Sequence, residues 1–186
     1  TILESTGFGS ATSILATVGI GVINVVMTVV AIALIDRVGR RLLLLVGIGG
    51  MVATLAVLGI VFYLPGFSGV LGWVATASLM LFVAFFAIGL GPVFWLLISE
   101  IYPLSVRGSA MGTVTVANWG ANLLVSLAFP LLTANLGRPS TFWLFGVCSL
   151  AALAFTYRLV PETKGRSLEA IETDLRENVT DTVATG

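Results

Sequence analysis

Three asparagines and a tryptophan beside a helix-breaking tetrapeptide are the side chains best suited to hold a ligand. Asn24 lies midway through one apolar run, and Asn118 and Asn122 lie midway through another. The last two are at i and i+4, so on a helix they project from one face. An amide surrounded by hydrocarbon must find a partner, so these groups face protein or a water-filled cavity. Each offers both donors and an acceptor, a set suited to a polyhydroxyl ligand. Interhelical hydrogen bonding without a ligand is the competing reading for all three. Gly89-Leu-Gly-Pro92 interrupts a third apolar run. Pro92 removes a helical hydrogen bond and clashes with the preceding turn, so a kink or break is expected. Such breaks tend to line cavities, because freed backbone groups need water, ligand or protein partners. Trp95 follows one turn later, offering a flat apolar face and one N–H donor, or else a packing aromatic.

Five uncharged apolar runs must position these groups: 11–35, 42–64, 73–99, 109–133 and 140–157, the last extending to about 160. Each approaches the roughly 20 residues a helix needs to cross a bilayer. If all five span, the 36–41 loop, the 100–107 loop and the C-terminal tail share one side. That side holds eight of the nine Lys and Arg residues, and only Arg138 lies opposite. The positive-inside rule makes it cytoplasmic, with the C-terminus inside. Counted from Glu100, Trp95 sits about 7 Å above the inner boundary, while Asn24 and Asn118 sit nearer ~17 Å. Trp95 is therefore expected at the floor of a central site.

Composition excludes a soluble domain. The hydrophobic fraction is 58%, charged residues make up 10% and mean hydropathy is +1.08. No amphipathic outer helices remain to cover five buried ones. The basic residues are accounted for by topology, so nucleic-acid binding has no support. Residues 1–10 read as an extracellular connector, and Pro65–Gly72 as an outer turn. Tyr63, Trp73 and Trp143 fall near outer boundaries, where amphipathic rings favour headgroups. Residues 161–186 form a cytoplasmic tail. Within it Ser167–Glu177 is expected to form a short helix capped by Ser167, and residues 179–186 a disordered end. With no initiator Met, and five spans rather than an enclosed pathway, the chain reads as the second part of a longer transporter or channel.

A second constellation gathers at the basic side. Asp36, Arg37, Arg40, Arg41, Glu100, Arg107, Glu162 and Lys164 all lie at helix ends. Charge for topology explains the arginines but not the acids. A network of such pairs can bias a two-state equilibrium even though each exposed pair contributes only about 0–1 kcal/mol. There is no His and no acid within a span, so no proton-carrying side chain lies at membrane depth in these residues. Nothing resembles a phosphate-binding loop, a metal site or a catalytic triad, and no cofactor is implied. Cys148 is alone in an apolar span, so an intrachain disulfide is impossible and packing is its expected role.

Asp36-Arg-Val-Gly-Arg-Arg41, then Gly91-Pro-Val-Phe-Trp95 with Ser99-Glu-Ile-Tyr-Pro103 and Arg107-Gly108, then Pro161-Glu-Thr-Lys-Gly165, resemble the sugar porter family of the major facilitator superfamily. Order and spacing match its second half across essentially the whole chain. The resemblance implies an all-α membrane protein of twelve helices in two rocking halves. The five spans are then helices eight to twelve, with a missing helix seven before Thr1–Ser10. It implies sugar contact for Trp95, for Asn118 and Asn122 with Trp119 nearby, and for Asn24, beside the break at Gly91 and Pro92. It further implies that Asp36, Arg40, Arg41, Glu100, Arg107 and Glu162 hold the outward-facing state closed on the cytoplasmic side. Ala87 stands where some relatives carry an acid.

The expected function is movement of a monosaccharide across the plasma membrane by alternating access. The implied partners are the sugar, the bilayer and the missing first half; facilitated diffusion and proton symport both remain open, and in a symporter the coupling acid for the proton would lie in that half. A carrier of another polyol or neutral metabolite shares the scaffold. An anionic substrate would need a buried cation that these spans lack. A sensor built on the carrier fold is disfavoured by the short tail, and a channel by the broken helix and gating charges.

Overall fold

A computed structural model describes residues 10–63 and 70–165. The described residues form five helical elements: α1 (Ser10–Val38), α2 (Arg40–Tyr63), α3 (Val70–Gly89), α4 (Pro92–Ile101) and α5 (Arg107–Leu159). Most of the expected connector at 1–10, the heart of the outer turn at 65–72 and the tail helix at 167–177 lie outside the described residues.

Each connection has a local cause. α1 and α2 are separated by Gly39 alone, whose φ of 103° lies in the left-handed region that glycine tolerates. The turn expected over 36–41 is thus a single residue, and Asp36, Arg37, Arg40 and Arg41 are helical. The extra turns are tolerable because Glu162 accepts from the otherwise unpaired first amides of α2. Between α3 and α4 the helix breaks: Leu90 N and Gly91 N both donate to Phe86 O, and Pro92 opens α4. Proline is tolerated there because its missing N–H would have no partner in the first turn anyway.

The 53 residues of α5 would reach about 80 Å if straight, far beyond a ~30 Å hydrocarbon core. They do not run straight. Gly137 has non-helical angles (φ 78°, ψ 161°). Phe129 and Phe145 would be about 24 Å apart along one helix, yet their ring centroids lie 6.0 Å apart. The chain therefore doubles back at Gly137. Residues before and after it are called here the first and second arms.

Arg40 reaches both the end of α1 and the end of α4, while Glu162, just past α5, reaches the start of α2. These termini share one end of the bundle. At the opposite end Phe62 stacks on Phe142, with centroids 5.4 Å apart. The chain consequently makes five passes: α1, α2, α3 with α4, and the two arms of α5. All four of the longest helical stretches are apolar enough to cross a membrane.

α2 is the packing centre. Leu43, Leu44, Gly47, Ile48, Met51, Thr54, Leu55, Leu58 and Gly59 are buried along it, at helical spacing, against α3 and α5. One core at the charged end joins Ile35, Leu43, Leu44, Val93 and Leu97; another at the far end joins Leu55, Leu58, Ala75 and Phe142. All the buried residues of α5 belong to its second arm. The first arm, which carries Asn118 and Asn122, packs little of its surface against the rest.

Candidate functional site

The broken helix opens beside the first arm of α5. A cleft of about 420 Å³ there is lined by Phe86, Leu90, Gly91, Phe94, Trp95, Asn118 and Asn122. That volume falls in the range of small-molecule sites. α3 and α4 supply one wall, and one face of the first arm supplies the other, because residues 118 and 122 are one turn apart. Asn122 Nδ2 donates to the Asn118 carbonyl at 2.9 Å, which fixes its amide against the helix. Trp95 is half-buried and meets Phe94 edge-on, with centroids 5.3 Å apart at 74°. Among the described residues the lining thus pairs three aromatic rings with two neutral amides, and no ionisable side chain is among it.

The structure brings Gly91, Trp95, Asn118 and Asn122 together, with Pro92 setting the break. It does not bring Asn24 or Trp119 to this cleft. Asn24 is half-buried on α1, where its carbonyl accepts from Thr28 Oγ1 at 2.8 Å. Trp119 is 67% exposed, because a neighbouring residue on a helix points about 100° away from Asn118. Phe86, Leu90 and Phe94 line the cleft without having been singled out. Their spacing of four residues, continuing toward Trp95, was the available signal.

At the charged end, Arg40 is the hub. Its Nη2 lies 3.0 Å from Glu100 Oε1 and 3.1 Å from Asp36 Oδ1, and its Nη1 donates to Ile35 O at 3.2 Å. Glu100 Oε2 accepts from Thr163 Oγ1 at 2.6 Å. Asp36 is 80% exposed, so its pair with Arg40 is weak, whereas Glu100 and Arg40 are both largely shielded.

Three members of the expected charge cluster play other parts. Among the described residues Glu162 pairs with no cationic side chain. Its two oxygens accept from the backbone N–H groups of Arg40, Arg41 and Lys164 at 3.0, 3.1 and 3.0 Å, capping α2 where the helix dipole favours a negative charge. The side chain of Arg41 turns away from the acids to the Tyr157 carbonyl and lies over the Tyr157 ring, 5.7 Å from its centroid. Arg107 braces the bend before α5 by donating Nε to Tyr102 O at 3.2 Å. It has no acidic partner among the described residues, and its Nη2 is buried without one.

The family model described as "Sugar (and other) transporter" matches residues 1–175. The chain belongs to that family. It is 41% identical over 177 residues to the probable metabolite transport protein CsbC of Bacillus subtilis, covering 95% of this chain and 38% of that one. To the glucose transporter GlcP of Staphylococcus epidermidis it is 42% identical over 177 residues, covering 95% and 39%. The chain therefore spans well under half the length of these curated relatives. Among solved structures, the proton:xylose symporter XylE bound to 6-bromo-6-deoxy-D-glucose superimposes with a TM-score of 0.80 at 37% identity, over 91% of this chain and 36% of that one. The inward-open xylose transporter XylE from E. coli gives 0.77 at 39% identity, over 87% and 36%. Fold and family are those of multi-pass membrane transporters.

Proposed function

We propose that this chain forms the C-terminal half of a secondary transporter that carries a monosaccharide by alternating access. The observation that carries this reading is the cleft at the helix break, where Trp95 faces the same space as Asn118 and Asn122. A pyranose ring presents an apolar C–H face and a rim of hydroxyls. The indole and phenyl faces suit the first and the amides suit the second. The neutral lining disfavours a charged substrate, which would need a buried counter-charge.

In this reading a first helical half closes the other side of the cleft, and Arg40 with Asp36 and Glu100 ties the helix ends together in one state of the cycle and releases them in the other. The ties are on the cytoplasmic side of the plasma membrane, as the distribution of Lys and Arg suggests. Relatives named D-xylose-proton symporter-like 1 and 2 in Arabidopsis thaliana support proton coupling. The cleft lining here carries no titratable side chain, so the coupling acid is assigned to the first half. Uptake assays of the full-length carrier across a panel of sugars, polyols and sugar acids, with and without a proton gradient, test this. Saturable uptake of neutral sugars is expected. Uptake confined to acids contradicts it.

A further inference from the structure

Outside the cleft and the Arg40 hub, one cluster of charge has no role in that account. We propose that Arg41, Tyr157 and Arg158, with Arg37 and Lys164 beside them, bind the phosphate headgroup of an anionic phospholipid.

The corner is built from the first turn of α2 and the last turn of α5. Leu42, Val46, Phe155 and Leu159 next to it are 50%, 48%, 59% and 66% exposed. α2 and the second arm of α5 contribute nothing to the cleft that the proposed first half would close, so these side chains are read as meeting acyl chains, with Arg41 and Arg158 where acyl chains give way to headgroups. Tyr157, 65% exposed, has the amphipathic ring favoured at that depth.

Arg41 is already oriented for the task. Its Nη2 donates to the Tyr157 carbonyl and its guanidinium lies over the Tyr157 ring, which aims it away from Asp36 and Glu100. A guanidinium carries five N–H donors in a planar fork, so donors remain for a phosphate. Lys164 Nζ donates to the Arg37 carbonyl, which draws these two cations to the same rim.

Among the described residues, the nearby acids offset this charge only in part. Glu162 has both oxygens on backbone amides, and Asp36 and Glu100 are held by Arg40. Among the described residues, Arg37, Arg41, Arg158 and Lys164 have no acidic partner. Arg41 thus lies over the Tyr157 ring, Arg158 is the next residue along the helix, and Lys164 reaches the Arg37 carbonyl at the same end of the bundle. A phospholipid phosphate complements that charge while its acyl chains cover the exposed apolar residues beneath.

The test is native mass spectrometry of the purified full-length carrier, equilibrated with phosphatidylglycerol or phosphatidylcholine. Wild-type carrier should retain phosphatidylglycerol preferentially. Arg41→Gln with Arg158→Gln should weaken that retention about 30-fold, roughly fivefold for each cation removed. Arg158→Gln alone removes an exposed side chain without disturbing the Arg41 contacts, and should cost about fivefold. Arg138→Gln, at the opposite end, should leave retention unchanged. Equal retention by wild type and both corner variants overturns the proposal, as does equal retention of the two lipids. Displacement of phosphatidylglycerol by millimolar inorganic phosphate would also overturn it, by making the corner a soluble-anion site.

Discussion

Gly47 of α2 and Gly89 of α3 touch backbone to backbone. A Cβ placed on Gly47 would lie 2.5 Å from the Gly89 Cα, and one placed on Gly89 would lie 2.7 Å from the Gly47 Cα. Gly89 is the last residue of α3, so this contact fixes the helix immediately before the break that opens the cleft. The packing centre of the bundle and the geometry of the candidate site therefore meet at one point.

Because backbone atoms cannot swing aside, Gly47→Ala should destabilise the full-length carrier by about 1–3 kcal/mol, the usual cost of overpacking. Gly49→Ala, where an added Cβ meets nothing within 4 Å, should be neutral or slightly stabilising through higher helix propensity. Thermal unfolding in one detergent, with both variants side by side, checks the difference. Equal melting temperatures would remove the close approach as a constraint.

The cap on α2 is a second case of a distant partner acting locally. Glu162→Ala should leave the amides of Arg40 and Arg41 without acceptors and cost about 1 kcal/mol at the start of the helix. Hydrogen exchange should speed up at those two amides by several-fold while the middle of α2 stays protected. Unchanged exchange at both would show that the capping bonds contribute nothing.

Arg40→Gln should release both Asp36 and Glu100 and so loosen the tie between the ends of α1, α2 and α4. For a two-state carrier the expected result is a shift of population, read as faster labelling of cysteines engineered on the charged face and slower labelling on the opposite face. A change of a few-fold corresponds to about 1 kcal/mol, within reach of one shielded pair. Labelling rates that do not move on either face would separate this charge cluster from gating.

How much of this was legible beforehand depends on the range of the interaction. The passes, the break at Gly91 and Pro92, and the shared face of Asn118 and Asn122 follow from apolar run length, proline chemistry and a four-residue repeat. Phe86, Leu90 and Phe94 had the same repeat and were readable by the same rule. Asn24 and Trp119 were not separable from the residues that line this cleft, because their orientation depends on which helix packs alongside. Glu162 lies 122 residues from Arg40, so its role as a cap rather than an ion-pair partner has no local signature. The Gly47–Gly89 approach is hidden for the same reason.

The most direct measurement is sugar protection of single cysteines in the full-length carrier, after exposed Cys148 is replaced by serine. Asn122→Cys and Trp119→Cys differ in whether they face the cleft. A water-soluble maleimide should label position 122 and be slowed several-fold by a transported sugar, while position 119 gives no sugar-dependent change. Protection at 119 with none at 122 would contradict the assignment of this cleft to the substrate.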